Sequence, residues 1–368
     1  MAIDFARPDS GALLPPTEPV QLLSPEGTYT ADPAWPVDLS DDQLLELYRL
    51  MVVAREVDAQ SIRLQRQGQL SVYASLRGQE AAQIGSAFAL APQDWAFPSY
   101  RETGVALVRG LEPPEWLHVF RGTWLGAHDP AKRRFGLITI AIGTQALHAT
   151  GFAMGAKLDG NDCCVVCYMG DGATSEGDAH EALNFAGVFG APCIFLIQNN
   201  QWAISVPLAR QTAAPTIAHK AVGYGMPGYR CDGNDVLATY AVTRHALRRA
   251  REGAGPSLIE AVTYRMEAHT TADDPTRYRD DAELEQWRAR DPIVRFARFL
   301  RERGLLDDQI DAAISKAATA EAQLARAAVY EAPHGDPLEL FSHVYVDPPP
   351  RLIAQRAQLR AELEASDA

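Results

Sequence analysis

Two short polar motifs near the middle of the chain carry residues that could bind a metal ion and a phosphate. A Gly-Asp-Gly motif centred on Asp171 follows the apolar run at 163–169, and an Asn-Asn pair ending at Asn200 follows the run at 192–198. Carboxylate and amide oxygens are ligands that Mg²⁺ prefers. The glycines beside Asp171 allow backbone N–H groups to approach a phosphate closely. Together the motifs predict a site for Mg²⁺ and a diphosphate.

Each motif taken alone is also common in ordinary turns. Their combination across a strand–helix–strand pattern is more specific, because a right-handed crossover makes the two strands parallel. Both motifs then lie at the carboxyl edge of the sheet, where open α/β sheets bind ligands. The sequence contains no G-x-x-x-x-G-K-[ST] run, and the glycines beside Asp171 lack the third glycine of the dinucleotide fingerprint. A nicotinamide-dependent oxidoreductase is therefore disfavoured.

The elements that must position these motifs alternate between strand and helix from about residue 137 onward. Short apolar runs rich in β-branched residues are typical of buried parallel strands, and the segments between them have helical patterns. This alternation predicts an α/β fold with a doubly wound parallel sheet. The predicted strands cover 163–169, 192–198 and 257–264, and the predicted helices cover 144–157, 176–189 and 235–251.

The flanking segments have different patterns. A capping box that begins at Ser40 predicts a helix that extends to about residue 68, and further helices are predicted from residues 78 and 113. The first 38 residues are proline-rich and irregular, and we expect them to lie across the surface of a partner. The predicted regions are an N-terminal arm at 1–38, a helical part at 39–136, an α/β core at 137–280 and a helical C-terminal region at 281–368.

Composition limits the classes of function. The 368 residues are 47 % hydrophobic and 22 % charged, as in ordinary globular proteins. The 34 basic and 47 acidic residues give a net charge of −13, which argues against nucleic acid or an anionic membrane as a partner. No apolar run reaches the roughly 18 residues of a spanning helix, and the N-terminus does not resemble a secretory signal. We therefore expect a cytoplasmic protein.

The five cysteines do not form a disulfide framework. Cys164 and Cys167 make a C-x-x-C motif, but they lie in a predicted strand. Residues three apart in a strand face opposite sides, so we expect these thiols to be buried rather than to share a metal ion or a bond.

The pairing of the Gly-Asp-Gly and Asn-Asn motifs resembles that of thiamine diphosphate enzymes. From about residue 38 to 350 the chain is similar to the alpha subunit of the decarboxylating component of 2-oxo acid dehydrogenase complexes. The branched-chain type is more similar than the pyruvate type, mainly at 175–178 and 270–274. The motifs that carry the resemblance are FPSYRE at 97–102, GDGATSEGDAHEALNF at 170–185, AIS at 203–205, YR at 264–265 and HTTADD at 269–274.

This resemblance implies the thiamine diphosphate-binding fold with helical extensions at both ends, and a role for each matching residue. Asp171, Asn200 and the carbonyl of Trp202 would bind Mg²⁺. His269 would act catalytically from a loop in proton or acyl transfer and would also contact the cofactor. The other cofactor contacts implied are Tyr100, Arg101, Gly172 and Ala173 at the diphosphate and Ile142 at the aminopyrimidine ring.

The chain also departs from the family pattern. Gln198 stands where many relatives have an arginine beside the diphosphate, and Ile140 stands where relatives often have a serine beside the reaction centre. The segment at 125–136 is shorter than usual and lacks a clear match to the substrate-side histidine, although His128 lies nearby. The turn at 139–145 matches a place where some relatives hold K⁺.

The resemblance implies oxidative decarboxylation of a 2-oxo acid, with transfer of the acyl group to the lipoyl group of an acyltransferase component. The chain has sequence for one cofactor-binding α/β domain, whereas the family chemistry needs a glutamate from a second domain. The resemblance implies that a beta subunit supplies it in an α₂β₂ heterotetramer.

Two alternatives stay open at the level of sequence. The same chemistry could act on pyruvate or acetoin, and the side chains of Leu70, Val72 and Tyr73 are expected to line the acyl pocket that decides this. The chain could also be a non-catalytic subunit that binds thiamine diphosphate only as a scaffold. The polar loop at 265–280 is expected to order over the cofactor, and Thr270 occupies the place of a regulatory phosphoserine in mitochondrial relatives.

Overall fold

A five-stranded parallel sheet lies at the centre of the fold. The computed structural model describes residues 13–122, 128–332 and 335–366. The strand order is β1-β2-β3-β7-β6, and a separate pair, β4 and β5, forms a small antiparallel hairpin. The strands are β1 (Trp95–Phe97), β2 (Val165–Gly170), β3 (Cys193–Asn199), β4 (Trp202–Ala203), β5 (Val206–Pro207), β6 (Gly228–Asp232) and β7 (Ser257–Val262).

Helices form on the segments between the strands and at both ends of the described chain. The long first helix starts where the capping box predicts, because Ser40 and Gln43 exchange side-chain-to-backbone hydrogen bonds. The α-helices are α1 (Asp41–Arg66), α2 (Glu80–Phe88), α3 (Thr103–Val108), α4 (Pro113–Arg121), α5 (Pro130–Arg133), α6 (Thr144–Leu158), α7 (Gly177–Phe189), α8 (Val236–Arg251), α9 (Asp281–Arg288), α10 (Pro292–Glu302), α11 (Asp308–Glu331) and α12 (Pro350–Ser366). In the described part, no helix is both long and apolar enough to cross a membrane.

Both faces of the central strands are buried. Along β3, Ile194 and Leu196 belong to one apolar cluster and Phe195 and Ile197 to a second. Because successive side chains of a strand point to opposite faces, the two clusters lie on the two sides of the sheet. An α/β fold with a parallel sheet is therefore confirmed.

The C-x-x-C motif behaves as the strand pattern predicts. Cys164 packs in the first apolar cluster and Cys167 in the second, and both thiols are buried. Burial raises the pKa of both thiols, which keeps them protonated. Within the described ranges, no group of three or more His, Cys, Asp or Glu side chains is arranged to hold a metal ion.

Register brings the polar motifs to one edge of the sheet. Gly170 at the end of β2 pairs with Gln198 in β3, and Asn199 pairs with Val262 at the end of β7. All these pairings are parallel, so Asp171, Asn200 and the segment that follows β7 begin at the same carboxyl edge.

Part of the N-terminal arm packs on its own chain: Val20 forms a parallel bridge with Cys231, and Leu22 and Leu23 are buried. That the arm also lies across a partner stays a prediction. The Asp235 carboxylate accepts from the backbone N–H groups of Leu22 and Leu23 at 2.7 and 2.6 Å. The arm is apolar at 22–23, and these side chains belong to the hydrophobic core.

Two strands of the sheet were not predicted. β1 lies within the stretch expected to be helical, and it has only three residues, too few for a recognisable alternation. β6 has the sequence GYRCD, whose glycine and charged residues do not match the apolar pattern of a buried strand. β6 is held at the sheet edge, where its side chains are covered by the N-terminal arm and by α8.

The division of the chain into four regions stays a prediction.

Candidate functional site

A cleft of about 840 Å³, including its open mouth, lies at the carboxyl edge of the sheet. It is lined by residues that follow β2, β3 and β7, by the turn after β1 and by the start of α2. Ten of the eleven predicted site residues line it: Tyr100, Arg101, Ile142, Asp171, Gly172, Ala173, Gln198, Asn200, Trp202 and His269. The site predicted from separate motifs is thus brought together in one place.

Several predicted positions lie elsewhere. Ile140 is 61 % exposed and is not among the residues that line the described cleft. The expected acyl pocket is wrong for Leu70 and Tyr73, which are buried in the core, and Val72 packs against that core. The Tyr73 hydroxyl donates to the buried Asp58 carboxylate at 3.1 Å, so its polar end is directed into the interior.

Asp171 immediately follows β2 in the chain, and its carboxylate is buried. Its side chain accepts a 2.6 Å hydrogen bond from the Gln211 amide, and burial raises the pKa of Asp171 above its ordinary value. A nearby cation would favour the charged form and oppose this shift. At the next position, a Cβ added to Gly172 would lie 2.7 Å from the Cβ of Ala203, so the close approach of the two chains requires glycine.

The Asn200 side chain lies at the end of β3 and is 6 % exposed. Its Nδ2 donates to Gln79 Oε1 at 3.2 Å, and its Oδ1 accepts from the backbone N–H of Trp202 at 3.3 Å. Gln201 and Ile204, on either side of β4, have φ angles of 75° and 53°, which non-glycine residues rarely adopt. This strained turn sets the direction of the Trp202 carbonyl between them.

These donors fit a hard divalent cation. A carboxylate, an amide oxygen and a backbone carbonyl suit Mg²⁺, which commonly completes its octahedron with waters and phosphate oxygens. The Trp202 carbonyl accepts from Arg265 Nη1 at 3.2 Å, and a carbonyl oxygen has a second lone pair for a metal ion. The residues present therefore fit a Mg²⁺ site that a diphosphate would complete.

Arg101 supplies positive charge beside this metal site. Its guanidinium donates to the carbonyl oxygens of Ser75 and His269, at 2.5 and 2.8 Å, and lies 5.5 Å from the ring centre of Tyr100. Its acceptors within the described chain are these two carbonyls and the His269 ring nitrogen Nδ1, so no carboxylate is hydrogen-bonded to the positive charge. A buried guanidinium of this kind suits an anionic ligand.

His269 is held beside two guanidinium groups. Its Nδ1 lies 3.3 Å from Arg101 Nη2 and 3.4 Å from Arg265 Nη1. Guanidinium groups only donate, so Nδ1 is the acceptor and the ring proton is on Nε2. Burial and the two positive charges lower the pKa of His269 to about 3, which makes it a neutral ring at pH 7.

The loop that carries His269 is fixed by a network of side chains. Asp273 accepts from the backbone N–H of His269 at 2.8 Å and from the Tyr278 hydroxyl at 2.5 Å. The same hydroxyl accepts from Arg265 Nη2 at 2.8 Å. Thr271 in the loop also forms two hydrogen bonds with the backbone of Tyr73. The ring of His269 is therefore placed by contacts that are distant in sequence.

Gln198 lines the cleft within a buried network. Its Nε2 donates to Glu102 Oε1 at 2.6 Å, and its Oε1 accepts from Gln83 Nε2 at 2.9 Å. Glu102 also accepts from the backbone and hydroxyl of Ser99, which fixes the turn that carries Arg101. Burial raises the pKa of Glu102. The amide at 198 therefore supports this turn.

Two further predicted features lie at the margin of the cleft. Ile142 is 43 % exposed at its mouth, next to the left-handed Gly143 that begins α6. In the turn at 139–145 the Thr139 hydroxyl donates to the Leu137 carbonyl at 3.2 Å, and K⁺ binding there stays a prediction. His128 is buried against Phe135, outside the described cleft lining, and residues 125–127 of the shortened segment lie outside the described residues.

The cleft contains residues that were not predicted as site residues. Gln79, Gln145 and Glu176 line it; the two glutamines lie outside the motifs singled out in the sequence, and Glu176 lies within the motif at 170–185 without a role assigned to it. Gln79 and Gln145 are buried and each has one side-chain atom without a hydrogen-bond partner in the described part of the chain. The positions could be found only after the fold had brought them to the sheet edge.

Comparison with known proteins agrees with this geometry. A sequence profile of the dehydrogenase E1 component family matches residues 48–337. The chain belongs to this family. It is 52 % identical over 361 residues to the 3-methyl-2-oxobutanoate dehydrogenase subunit alpha of Mycobacterium tuberculosis, which covers 98 % of both chains. It is 42 % identical to the pyruvate dehydrogenase E1 component subunit alpha of Bacillus cereus and 41 % identical to that of Staphylococcus aureus, each over 92 % of this chain and 91 % of the relative.

The E1 family members matched here are 2-oxo acid dehydrogenase alpha subunits. The resemblance found in the motifs is thereby confirmed, including the greater similarity to the branched-chain type. The family uses thiamine diphosphate and pairs the alpha chain with a beta subunit, which agrees with a cleft that is open on one side.

Proposed function

We propose that the chain is the alpha subunit of a branched-chain 2-oxo acid dehydrogenase that acts on 3-methyl-2-oxobutanoate and related acids. The observation that carries this proposal is the convergence of Asp171, Asn200, Arg101 and a neutral His269 in one cleft. The 52 % identity to a 3-methyl-2-oxobutanoate dehydrogenase subunit alpha supports the choice of substrate.

The cleft residues divide into binding and proton-transfer roles. Asp171, Asn200 and the Trp202 carbonyl would hold Mg²⁺, and Arg101 with Tyr100 would hold the diphosphate. When bound, thiamine diphosphate supplies the carbanion chemistry that lets a 2-oxo acid lose CO₂. The backbone N–H groups of Gly172 and Ala173 would approach the diphosphate at the start of a short 3₁₀ turn.

His269 is suited to move a proton at Nε2. Two guanidinium groups occupy the side of Nδ1, which leaves Nε2–H as the donor toward the substrate or the acyl group. The low pKa makes the ring a hydrogen-bond donor rather than a cation at neutral pH. Binding of an anionic diphosphate beside Arg101 would offset one of the positive charges that lower this pKa.

A beta subunit would close the cleft and supply the glutamate that activates the cofactor. Ile142 and Ile204 line the cleft and are 43 and 55 % exposed, and Val206 in the β4–β5 hairpin is 42 % exposed; an interface would bury them. We infer an α₂β₂ heterotetramer and delivery of the acyl group to a lipoyl-bearing acyltransferase. The loop at 265–280 is the candidate docking segment for that carrier.

Three finer features belong to the same proposal. We infer a doubly wound sheet because apolar clusters cover both of its faces. A K⁺ ion at 139–145 would be tested by replacing K⁺ with Na⁺ during thermal unfolding of the assembled enzyme. A cytoplasmic location stays a prediction.

The pyruvate alternative is retained because two relatives at 41–42 % identity are pyruvate dehydrogenase alpha subunits. Co-expression with the beta subunit, followed by decarboxylation assays with an artificial electron acceptor, distinguishes the substrates. Preference for 3-methyl-2-oxobutanoate over pyruvate supports the proposal. Preference for pyruvate replaces the substrate while retaining the site, and bound thiamine diphosphate without turnover on either acid contradicts a catalytic role.

A further inference from the structure

We propose that two glutamines outside the recognised motifs, Gln79 and Gln211, are positioning residues for the metal ligands, and that Gln79 also donates a hydrogen bond to the diphosphate. This inference rests on the proposed function of the cleft. Gln79 holds the amide of Asn200, and Gln211 holds the carboxylate of Asp171.

Gln79 is the residue that precedes α2, and it is fully buried in the lining of the cleft. Its Oε1 accepts from Asn200 Nδ2 at 3.2 Å. An asparagine amide can bind a cation only through its oxygen, so its nitrogen must be directed elsewhere. The contact with Gln79 selects this orientation and leaves Asn200 Oδ1 available for Mg²⁺.

The other end of the Gln79 amide has no partner. Its Nε2 is buried without an acceptor among the described residues. Buried amide nitrogens are normally hydrogen-bonded, and each exception calls for an explanation. An anionic oxygen of a diphosphate next to Mg²⁺ is an acceptor of the required kind. This contact also supplies a neutral donor in a site where residue 198 is glutamine rather than arginine.

Gln211, in the segment after β5, contacts the second proposed metal ligand, Asp171. Its Nε2 donates to Asp171 Oδ2 at 2.6 Å and to the Val206 carbonyl at 3.0 Å. Both hydrogens of the amide group are thereby used, one on the metal ligand and one on the hairpin. The carboxylate is fixed through Oδ2, and its other oxygen remains for the cation. Gln211 therefore couples the order of the 202–211 segment to the geometry of the metal site.

Hydrogen bonds to metal ligands, such as those of Gln79 and Gln211, affect the affinity for the metal ion. Loss of a hydrogen bond that orients a metal ligand typically weakens metal binding by about 10- to 100-fold. We expect Gln79→Leu and Gln211→Leu each to weaken Mn²⁺ binding within this range. Gln79→Glu keeps an acceptor for Asn200 and adds negative charge, so Mn²⁺ binding should be retained while thiamine diphosphate binding falls by about 10-fold or more.

The experiment uses the full chain assembled with its beta subunit and Mn²⁺ as the probe. Free Mn²⁺ is measured by electron paramagnetic resonance at a thiamine diphosphate concentration that saturates every variant, and cofactor affinity is measured separately by titration of tryptophan fluorescence. Gln60→Leu is the matched control, because Gln60 is buried and hydrogen-bonded to Arg63 in α1, away from the cleft. Its Mn²⁺ affinity should stay within twofold of wild type.

Gln211→Asn replaces Gln211→Leu if the latter fails to assemble, because it retains an amide too short to reach both partners. The inference is overturned if Gln79→Leu and the tested Gln211 variant both assemble and bind Mn²⁺ within twofold of wild type. A wild-type assembly that binds no Mn²⁺ in the presence of thiamine diphosphate contradicts the proposed function itself. Retained cofactor affinity in Gln79→Glu removes only the donor role of Gln79 Nε2.

Discussion

The candidate metal-binding edge of the cleft, formed by Asp171 and Asn200 and called the metal edge below, and the loop that carries His269 are held in place by different interactions. Asp171 and Asn200 follow β2 and β3 directly, so the register of a parallel sheet sets their separation. His269 lies seven residues beyond the end of β7 and is held by the side chains of Arg101 and Asp273, and Arg101 is itself held by the Ser75 carbonyl. Substitutions at the metal edge should therefore abolish cofactor binding, whereas substitutions in the loop should slow turnover of an enzyme that still binds thiamine diphosphate.

Asp171→Ala should have the largest effect and tests the metal edge. Removal of a direct ligand should weaken Mg²⁺-dependent thiamine diphosphate binding by more than the roughly 100-fold upper range for hydrogen bonds to metal ligands. Titration of cofactor into the assembled enzyme, with and without Mg²⁺, measures the change. Asp308→Ala, on a fully exposed carboxylate, is the control and should bind as wild type. Unchanged affinity in Asp171→Ala would refute the metal assignment.

Arg101→Lys tests the residue that belongs to both regions. Lysine retains the charge but loses the planar fork that reaches the carbonyls of Ser75 and His269. Loss of one charge-assisted hydrogen bond, about 1.5–3 kcal/mol, should weaken cofactor binding by about 10- to 100-fold and also lower turnover. Arg77→Lys, on a half-exposed side chain, should change neither. A change in turnover alone would assign Arg101 to the loop and not to the diphosphate.

Tyr278→Phe is a test of the loop alone. The hydroxyl links Arg265 to Asp273, and its removal should loosen the placement of His269. We expect turnover to fall about three- to tenfold, corresponding to a hydrogen bond of ~0.5–1.5 kcal/mol, with cofactor affinity unchanged. Tyr330→Phe on the exposed face of α11 provides the control. Weaker cofactor binding in Tyr278→Phe would show that the two regions are not separable.

The ionisation of His269 gives the smallest predicted effect. The folded-state pKa of His269 is lowered from 6.5 to about 3. The neutral ring therefore contributes stability above pH 6.5, and this contribution is lost as the pH falls from 6.5 through about 3, because the unfolded chain takes up the proton first. In the cofactor-free enzyme, the ring should therefore stay neutral from pH 8 to pH 5. Nuclear magnetic resonance of ¹⁵N-histidine, assigned with His269→Gln, measures this directly. A midpoint near 6.5 would show that the two guanidinium groups do not act on the ring.

The metal edge could be predicted from sequence because its signals are local. Asp171 and Asn200 each follow a recognisable buried strand, and parallel pairing brings such positions together. The supports of the loop could not be predicted in the same way. Asp58 fixes Ser75 through a 2.6 Å hydrogen bond, and Ser75 in turn accepts from Arg101, yet these three residues are separated by 17 and 26 positions.

The predictions that were wrong or missing concern positions that depend on contacts distant in sequence. The segment at 70–73 is apolar, and apolar patterning does not distinguish a substrate pocket from the protein core, where Leu70 and Tyr73 are found. β1 and β6 are short or polar, and their pairing partners stabilise them as strands. Gln79 and Gln211 give no sequence signal because one amide among many becomes informative only through its contact.

A crystal structure of the chain with its beta subunit, thiamine diphosphate and Mn²⁺, with the metal located by its anomalous scattering, would test directly whether the cleft binds the metal ion and the diphosphate. We expect a single ion bound by the Asp171 carboxylate, the Asn200 side-chain oxygen and the Trp202 carbonyl, with diphosphate oxygens completing its coordination. A metal peak elsewhere, or a diphosphate bound away from Arg101 and the Asp171 turn, would contradict this expectation.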